Sequence, residues 1–284
     1  MIYQIDKNNV KKVLKKRPSD ADKTTIGSML SVCGSFGMAG AAIMSAKSAL
    51  RSGIGLLKLA VPINIYPIMA GAVPEAVFIP LKNISGFDLE ENARYCSSIL
   101  CGCGIGVDDF SRGIVRKIIY NSEVPVIFDA DALNIIAEDN DILRYSKSDV
   151  ILTPHDREFA RLVGCYPDML KDRREELARK FATRHKVTVV LKGSKTIVAS
   201  PDGNMLYNEE LGNPGMAVGG AGDALAGIIA SLTAQSGDVL NSAAAGVYVH
   251  ALAGDIAAEK YGQVSMLPTD IIEALPEAFK RILG

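Results

Sequence analysis

The chain has 284 residues, 48% of them hydrophobic, enough for one large α/β domain or two small ones. Lys and Arg number 31 against 32 Asp and Glu, a formal charge of -1, which argues against nucleic acid or an acidic membrane surface as partner. Five cysteines without C-x-x-C spacing and three dispersed histidines speak against a disulfide scaffold or a zinc motif, and fit reduced thiols in the cytoplasm. Met1 leads into Lys7, Lys11, Lys12, Lys15 and Lys16 with no apolar run behind them, so no signal peptide is expected. No uncharged stretch is long enough to span a bilayer.

In chain order, residues 29–33 read as a strand, 38–51 as an Ala-rich helix, 56–61 as a strand and 76–79 as a short one. Apolar runs at 98–101, 124–129, 150–153 and 187–191 follow, each separated by a helix or turn. Runs buried on both sides in a βαβα rhythm predict a mainly parallel sheet with helices on two faces. The rhythm then changes. Residues 187–191, 196–200 and 205–208 lie close together, joined by Gly193-Ser194 and Pro201-Asp202-Gly203, so a short antiparallel meander should finish the sheet at one edge. Helices at 223–234, 239–261 and 268–283 complete the chain. Without repeats, low-complexity tracts or an interdomain linker, one domain over 1–284 is expected.

Open α/β sheets bind ligands beyond the carboxyl ends of their strands. Gly34-Ser35-Phe36-Gly37, Gly102-Cys103-Gly104-Ile105-Gly106, Asp129-Ala130-Asp131, Thr153-Pro154-His155 and Lys192-Gly193 all fall at that edge. A Rossmann fingerprint fails by arithmetic, because Val107 and Asp109 stand where its last glycine is needed. No P-loop precedes Lys195-Thr196 either. The segment Cys101-x-Cys103 is read as buried packing rather than as a redox pair.

Gly219-Gly220-Ala221-Gly222-Asp223 is the most informative stretch. Leu225, Ile228, Ile229 and Leu232 fall at i, i+3, i+4 and i+7, so a helix starts near Gly222, where free N–H groups collect anions. An aspartate there makes sense if Asp223 takes a proton from a hydroxyl that attacks a phosphoryl group held by those N–H groups. Its plain alternative is an acidic residue favoured by the helix dipole. Asp129 and Asp131 suit Mg²⁺ or a polar substrate, and Asp131 equally suits an N-cap. His155 suits either a substrate contact or a helix cap, and Glu158 reads as a helix-surface charge. Residues 192–196 read as a hairpin tip, either a simple turn or a nucleotide site using Lys192 and Thr196.

Together the strings Gly34-Ser35-x-Gly37-Met38-x-Gly40-Ala41, Asp129-Ala130-Asp131-Ala132-Leu133-Asn134, Thr153-Pro154-His155, Leu191-Lys192-Gly193-x-x-Thr196 and Gly212-Asn213-Pro214-Gly215-Met216-Ala217-x-Gly219-Gly220-x-Gly222-Asp223 resemble the ADP-dependent NAD(P)H-hydrate dehydratases. The likeness runs from about Gly27 to the last helix, and departs at Cys103, Arg157 and Ala221, where Pro, Gly and Ser are usual. It implies a ribokinase-like three-layer sandwich. It also implies dehydration of 6-hydroxylated NADH or NADPH, driven by conversion of ADP to AMP and phosphate with Mg²⁺ bridging the phosphates.

By that resemblance Asp223 is the catalytic base, and Ala41, Gly104 or Gly106, His155 and Asp223 bind the hydrated cofactor. Lys192, Gly193, Ser194, Lys195, Thr196 and Gly222 bind the nucleotide, and no side chain is assigned to metal. The resemblance further implies a cytoplasmic homotetramer that works alongside a separate NAD(P)H-hydrate epimerase, since the epimerase domain fused to some members is not expected here. A vitamin-precursor kinase of the same superfamily and a non-catalytic dinucleotide sensor are the alternatives.

Overall fold

The computed structural model describes residues 2–14, 17–23, 25–83 and 86–284. Met1, Lys15 and Lys16, part of the signal-peptide reading, lie outside the described residues. The elements are β1 (Ile2–Gln4), α1 (Lys7–Val13), β2 (Ser28–Val32), α2 (Ala39–Arg51), β3 (Leu56–Pro62), α3 (Tyr66–Ala72) and β4 (Val77–Leu81). Next come α4 (Leu89–Asn92), β5 (Ser98–Cys101), α5 (Asp109–Asn121), β6 (Val126–Phe128), α6 (Asp131–Glu138), β7 (Val150–Leu152) and α7 (Asp156–Val163). The chain closes with α8 (Arg174–His185), β8 (Thr188–Leu191), β9 (Thr196–Ala199), β10 (Met205–Asn208), α9 (Ala221–Ser236), α10 (Val239–Tyr261) and α11 (Pro268–Leu283).

One ten-stranded sheet has the order β1-β10-β9-β8-β7-β6-β5-β2-β3-β4. Strands from β4 through β8 run parallel, while β9 is antiparallel to both β8 and β10. The central strands β2, β5, β6, β7 and β8 are buried along their whole length, as continuous apolar runs require when helices cover both faces. The α/β reading with a mainly parallel sheet and a short antiparallel meander holds. One detail differs: the meander is not the edge, because β1 pairs in parallel outside β10, Ile2 opposite Met205. A three-residue strand with little periodicity carries no sequence signal of its own.

Two apolar cores flank the sheet. Phe87, Ile118, Leu133, Phe159 and Phe181 belong to the layer that packs α5, α6, α7 and α8 on one face. Met29, Ala42, Leu59, Ile127 and Ile229 belong to the opposite layer, with α2, α3, α9 and part of α10. A third cluster, including Val10, Ile228, Val249 and Ile271, joins α9, α10, α11 and α1. On α5, Ile114, Val115, Ile118 and Ile119 make the buried face, and Asp108 caps its start by accepting from the Ser111 N–H at 2.9 Å. The crossing of α2 and α9 depends on Gly227, where a Cβ would run into the Ser45 carbonyl.

The strand order reverses between β2 and β5. From β2 the chain moves outward to β3 and β4, then returns to place β5 on the other side of β2 and continues through β6, β7 and β8. A crevice opens beyond the carboxyl ends of strands at such a switch point. The loops there are tied together: Gly34 N–H donates to the Cys103 carbonyl at 2.8 Å, and Gly102 N–H to the Val32 carbonyl at 3.2 Å.

Candidate active site

Four strand ends and one helix start meet at the switch point. The loop after β5 is forced into close quarters: Gly102 has φ +132°, and a Cβ there would run into the Asp129 carbonyl. A Cβ at Gly104 would meet Ala41 Cβ at 2.9 Å and Met38 Cβ at 3.0 Å, so Gly104 and Ala41 are packed together. Gly106 has open space around it, and its N–H donates to Asp131 Oδ2 at 2.9 Å. Asp131 is therefore not the N-cap of α6. That position is Ala130, with no side-chain cap, while the Asp131 carboxylate reaches back to hold the neighbouring loop.

Asp129, at the end of β6, is buried. Its Oδ1 accepts from Lys192 Nζ at 2.8 Å and from Thr153 Oγ1 at 2.7 Å; Cys103 Sγ stands 3.6 Å from its Oδ2. Burial disfavours the Lys192 ammonium, but the charges of Asp129 and Glu158 outweigh it and raise the lysine above its ordinary range. Glu158 Oε2 lies 3.9 Å from Lys192 Nζ, and Glu158 is buried. The surface-charge reading of Glu158 is thus corrected, because its place on α7 turns it under the cleft toward Lys192.

His155 precedes α7 and caps it. Its Nδ1 accepts from the N–H groups of Arg157 at 3.1 Å and Glu158 at 3.2 Å, while its own backbone N–H donates to Glu158 Oε2 at 2.8 Å. These reciprocal bonds form a capping box. The arrangement fixes Nδ1 as the acceptor and leaves the ring half-exposed at the cleft rim, 49% by its side chain.

The helix start anticipated near Gly222 is at Ala221. Gly220 at φ +103° is the N-cap and supplies no side-chain cap. A Cβ at Gly222 would sit 3.2 Å from Lys192 Nζ, so the hairpin lysine and the helix start adjoin one another. Burial first, and the Asp129 charge second, push the Asp223 carboxyl up to about 6, opposed by Cys103 and Lys192. The result is an open helix N-terminus, a cation beside it and a carboxylate poised to hold or release a proton near neutrality.

The turn between β8 and β9 carries the predicted residues 192–196 as a hairpin tip. Gly193 and Ser194 are exposed, and Thr196 Oγ1 donates to the Gly193 carbonyl at 3.0 Å. The Lys195 side chain turns to the back of the hairpin, where it pairs with Glu175 and Glu209. Arg174 clamps the tip from behind, donating to the carbonyls of Lys192 and Lys195, both at 2.9 Å, and to Asp156 Oδ1 at 2.9 Å. A Cβ at Gly193 would meet the Arg174 guanidinium at 2.6 Å.

Sequence reading missed the support behind the loop of residues 212–220. On α10, Asp255 accepts from the Gly212 N–H at 2.8 Å and from Asn213 Nδ2 at 2.9 Å, and the Gly254 carbonyl accepts from Asn213 Nδ2 at 3.1 Å. His250 hydrogen-bonds the Ala221 backbone, and burial lowers its imidazole to about 4. Its Nε2 is buried without a partner. The signal was present: His250, Gly254 and Asp255 fall at i, i+4 and i+5 within an Ala-rich helix. Arg174 and Glu158 had no comparable signal, since both lie among ordinary helix-surface charges in the sequence.

The family profile described as NAD(P)H-hydrate dehydratase matches residues 29–277. The chain belongs to that family. It is 36% identical over 261 residues to the ADP-dependent (S)-NAD(P)H-hydrate dehydratase of Neisseria meningitidis, covering 88% of this chain and 83% of that protein. It is 35% identical over 277 residues to the bifunctional NAD(P)H-hydrate repair enzyme of Moorella thermoacetica, covering 95% of this chain but 52% of that one. The chain thus spans about half the length of such bifunctional relatives. Among solved structures, the Bacillus subtilis ADP/ATP-dependent NAD(P)H-hydrate dehydratase co-crystallised with ATP and Mg²⁺ superposes with a TM-score of 0.88 at 29% identity, over 99% of this chain and 98% of that one. A ribokinase-like superfamily protein of Enterococcus faecalis superposes at 0.85, with 28% identity over 99% of this chain and 96% of that one. The fold is ribokinase-like.

Proposed function

We propose that this chain dehydrates the 6-hydroxy form of NADH or NADPH back to the reduced dinucleotide, at the expense of a nucleotide's terminal phosphate. The observation that carries this reading is the open start of α9, with Asp223 on it, Lys192 against it and no side-chain cap to compete with an anion. A phosphoryl group held by those N–H groups faces the carboxylate that accepts a proton from the attacking hydroxyl. The substrate oxygen forms a bond to the phosphorus, and AMP leaves when the nucleotide is ADP. The C6–O bond of the phosphate ester then breaks with loss of the C5 proton, which restores the C5–C6 double bond and releases phosphate. Bare hydroxide leaves poorly, so the nucleotide lowers the barrier.

In this reading Lys192, Gly193, Ser194, Lys195, Thr196 and Gly222 hold the nucleotide, with Lys195 contributing its backbone, since its side chain faces away. Ala41, Gly106 and His155 line the hydrated ring's side of the cleft, with Gly104 giving Ala41 its packing partner. ADP is the nucleotide we assign, by family resemblance. Mg²⁺ enters as part of the cosubstrate, neutralising charge on the phosphates. A hard ion of this kind wants near-octahedral oxygen ligands, and the Cys103 thiol and Lys192 ammonium beside Asp129 do not make a resident cage for it.

The strands from β1 to β10 share one sheet, which supports a single domain over 1–284. Free thiols support a cytoplasmic setting. Family resemblance supports a homotetramer and a functional pairing with an epimerase, the former tested by light scattering. The central test supplies hydrated NADH, Mg²⁺ and ADP. Reduced-nicotinamide absorbance should return while AMP and phosphate form in equal amounts, and omission of ADP should leave the ring unrepaired. Nucleotide consumption without repair, or repair without nucleotide, overturns the reading.

A further inference from the structure

Outside the roles assigned above, the floor of the cleft holds an unusual set of donors. One donor atom each from Cys103, Asp129 and Asp223 lie within 4.8 Å of one another. Cys33, just after β2, is a second buried thiol, and its Sγ accepts from Ser31 Oγ at 3.3 Å. Cys103, Asp129 and Asp223 come from the loop after β5, the residue after β6 and the start of α9, and the first loop is tied to β2 and the residues after it by the Gly34-to-Cys103 and Gly102-to-Val32 backbone bonds. Asp129 divides its work: Oδ1 is occupied by Lys192 and Thr153, whereas Oδ2 has the Cys103 sulfur at 3.6 Å.

One sulfur and two carboxylate oxygens, with water in the fourth place, make a ligand set for a tetrahedral, thiophilic ion. We propose that Cys103, Asp129 and Asp223 form a binding site for a thiophilic divalent cation of the Zn²⁺ class, and that filling it blocks the cleft's chemistry. Tetrahedral Zn²⁺ with sulfur and oxygen ligands places donor atoms about 3.3–3.8 Å apart. The Cys103 thiol gives its proton to solvent as its S–metal bond forms. The ion gains access from the Asp223 side, the one member of the set that is not fully buried. Lys192 can remain on Oδ1, and the two carboxylates outweigh its single charge. Mg²⁺ has no affinity for such a sulfur, so the nucleotide's ion does not compete for this place. The second half of the proposal, loss of turnover, rests on the assignment of Asp223 above; the first half does not.

Chelator-treated, reduced protein is titrated with Co²⁺ and followed by its sulfur-to-metal charge-transfer absorption. A single equivalent should develop the band, Zn²⁺ should abolish it by displacement, and excess Mg²⁺ should leave it unchanged. Cys103→Ala should lose the band and weaken Zn²⁺ binding on the order of 100-fold. Cys103→Ser tests the same sulfur at nearly constant volume should the alanine variant fail to fold. Cys96→Ser, far from the cleft, should keep the band. Absence of a band in the wild type, or an undiminished band in a folded Cys103 variant, overturns the site. With the dehydratase assay, Zn²⁺ should suppress turnover and a chelator restore it. Metal binding with Zn²⁺-insensitive turnover overturns the second half alone, and a wild type that binds Co²⁺ but never turns over counts against the proposed function instead.

Discussion

Two helices begin at the same edge of the sheet and are finished in opposite ways. The start of α7 is closed by its own side chains, with the His155 ring and the Glu158 carboxylate exchanging bonds with the backbone. The start of α9 is left open by Gly220, and the histidine near it, His250, is buried and hydrogen-bonds the Ala221 backbone rather than capping the helix with its side chain. A closed start contributes a fixed rim. An open one contributes N–H groups with nothing to satisfy them until an anion arrives. Chemistry belongs to the second, and positioning to the first.

The most severe way to break this contrast is Asp223→Asn, which keeps size and hydrogen bonding but removes basicity. Turnover should fall by about 100-fold or more with folding intact, and steady-state assays beside a thermal melt check both. Near-normal turnover would return Asp223 to a dipole-friendly bystander. The brace behind α9 is probed by acid. The His250 imidazole, held low at about 4 by burial, stays neutral in the folded chain while its unfolded counterpart takes a proton near pH 6.5. The unfolded state therefore binds more protons between about pH 4 and 6.5, and stability drops as pH falls through that window. A His250→Leu variant has no such group, and its urea-unfolding free energy should lose about 2–3 kcal/mol of that pH dependence. An identical slope in both proteins would refute it.

Gly222→Ala sharpens the contrast differently. Alanine favours the helix, but its methyl group would crowd Lys192 Nζ at 3.2 Å. Melting should hold or rise while nucleotide affinity by calorimetry drops about tenfold. Gly193→Val, which collides with Arg174, should weaken nucleotide binding more than dinucleotide binding; an equal loss for both points to general disruption. The smallest effect is expected at α7. His155→Ala removes a cap and should cost about 1 kcal/mol of stability, measured by denaturant midpoint. A change far below that would mean the capping box contributes little.

The parallel strands were legible because each is a short apolar run bounded by Gly, Pro or Asp. The hairpin tip was legible because Gly193-Ser194 and Pro201-Asp202-Gly203 are turn chemistry. Asp223, Gly222 and Lys192 could be singled out because their local strings are distinctive. Glu158 and Arg174 could not, since what makes them special is a partner distant in sequence: Lys192 for one, the carbonyls of the hairpin for the other. Asp131 shows the same limit in reverse. Its position before a helix looks like a cap, yet the Gly106 N–H, from another strand's loop, takes its carboxylate.

The pairing of β1 with β10 has a consequence for synthesis on the ribosome. Its partners are about 200 residues apart in sequence, Ile2 against Met205. At common elongation rates of roughly 5–20 residues per second, the first strand emerges about 10–40 seconds before any edge exists to receive it. During that interval the central strands β2 to β8 can assemble on contacts between neighbours in the chain, while β1 has only solvent or chaperones to meet. The residues of β1 are therefore among the last to be placed in the sheet although they are made well before their partner, so that a ribosome stalled short of β10 would hold a nascent chain whose central strands are paired and whose β1 is not.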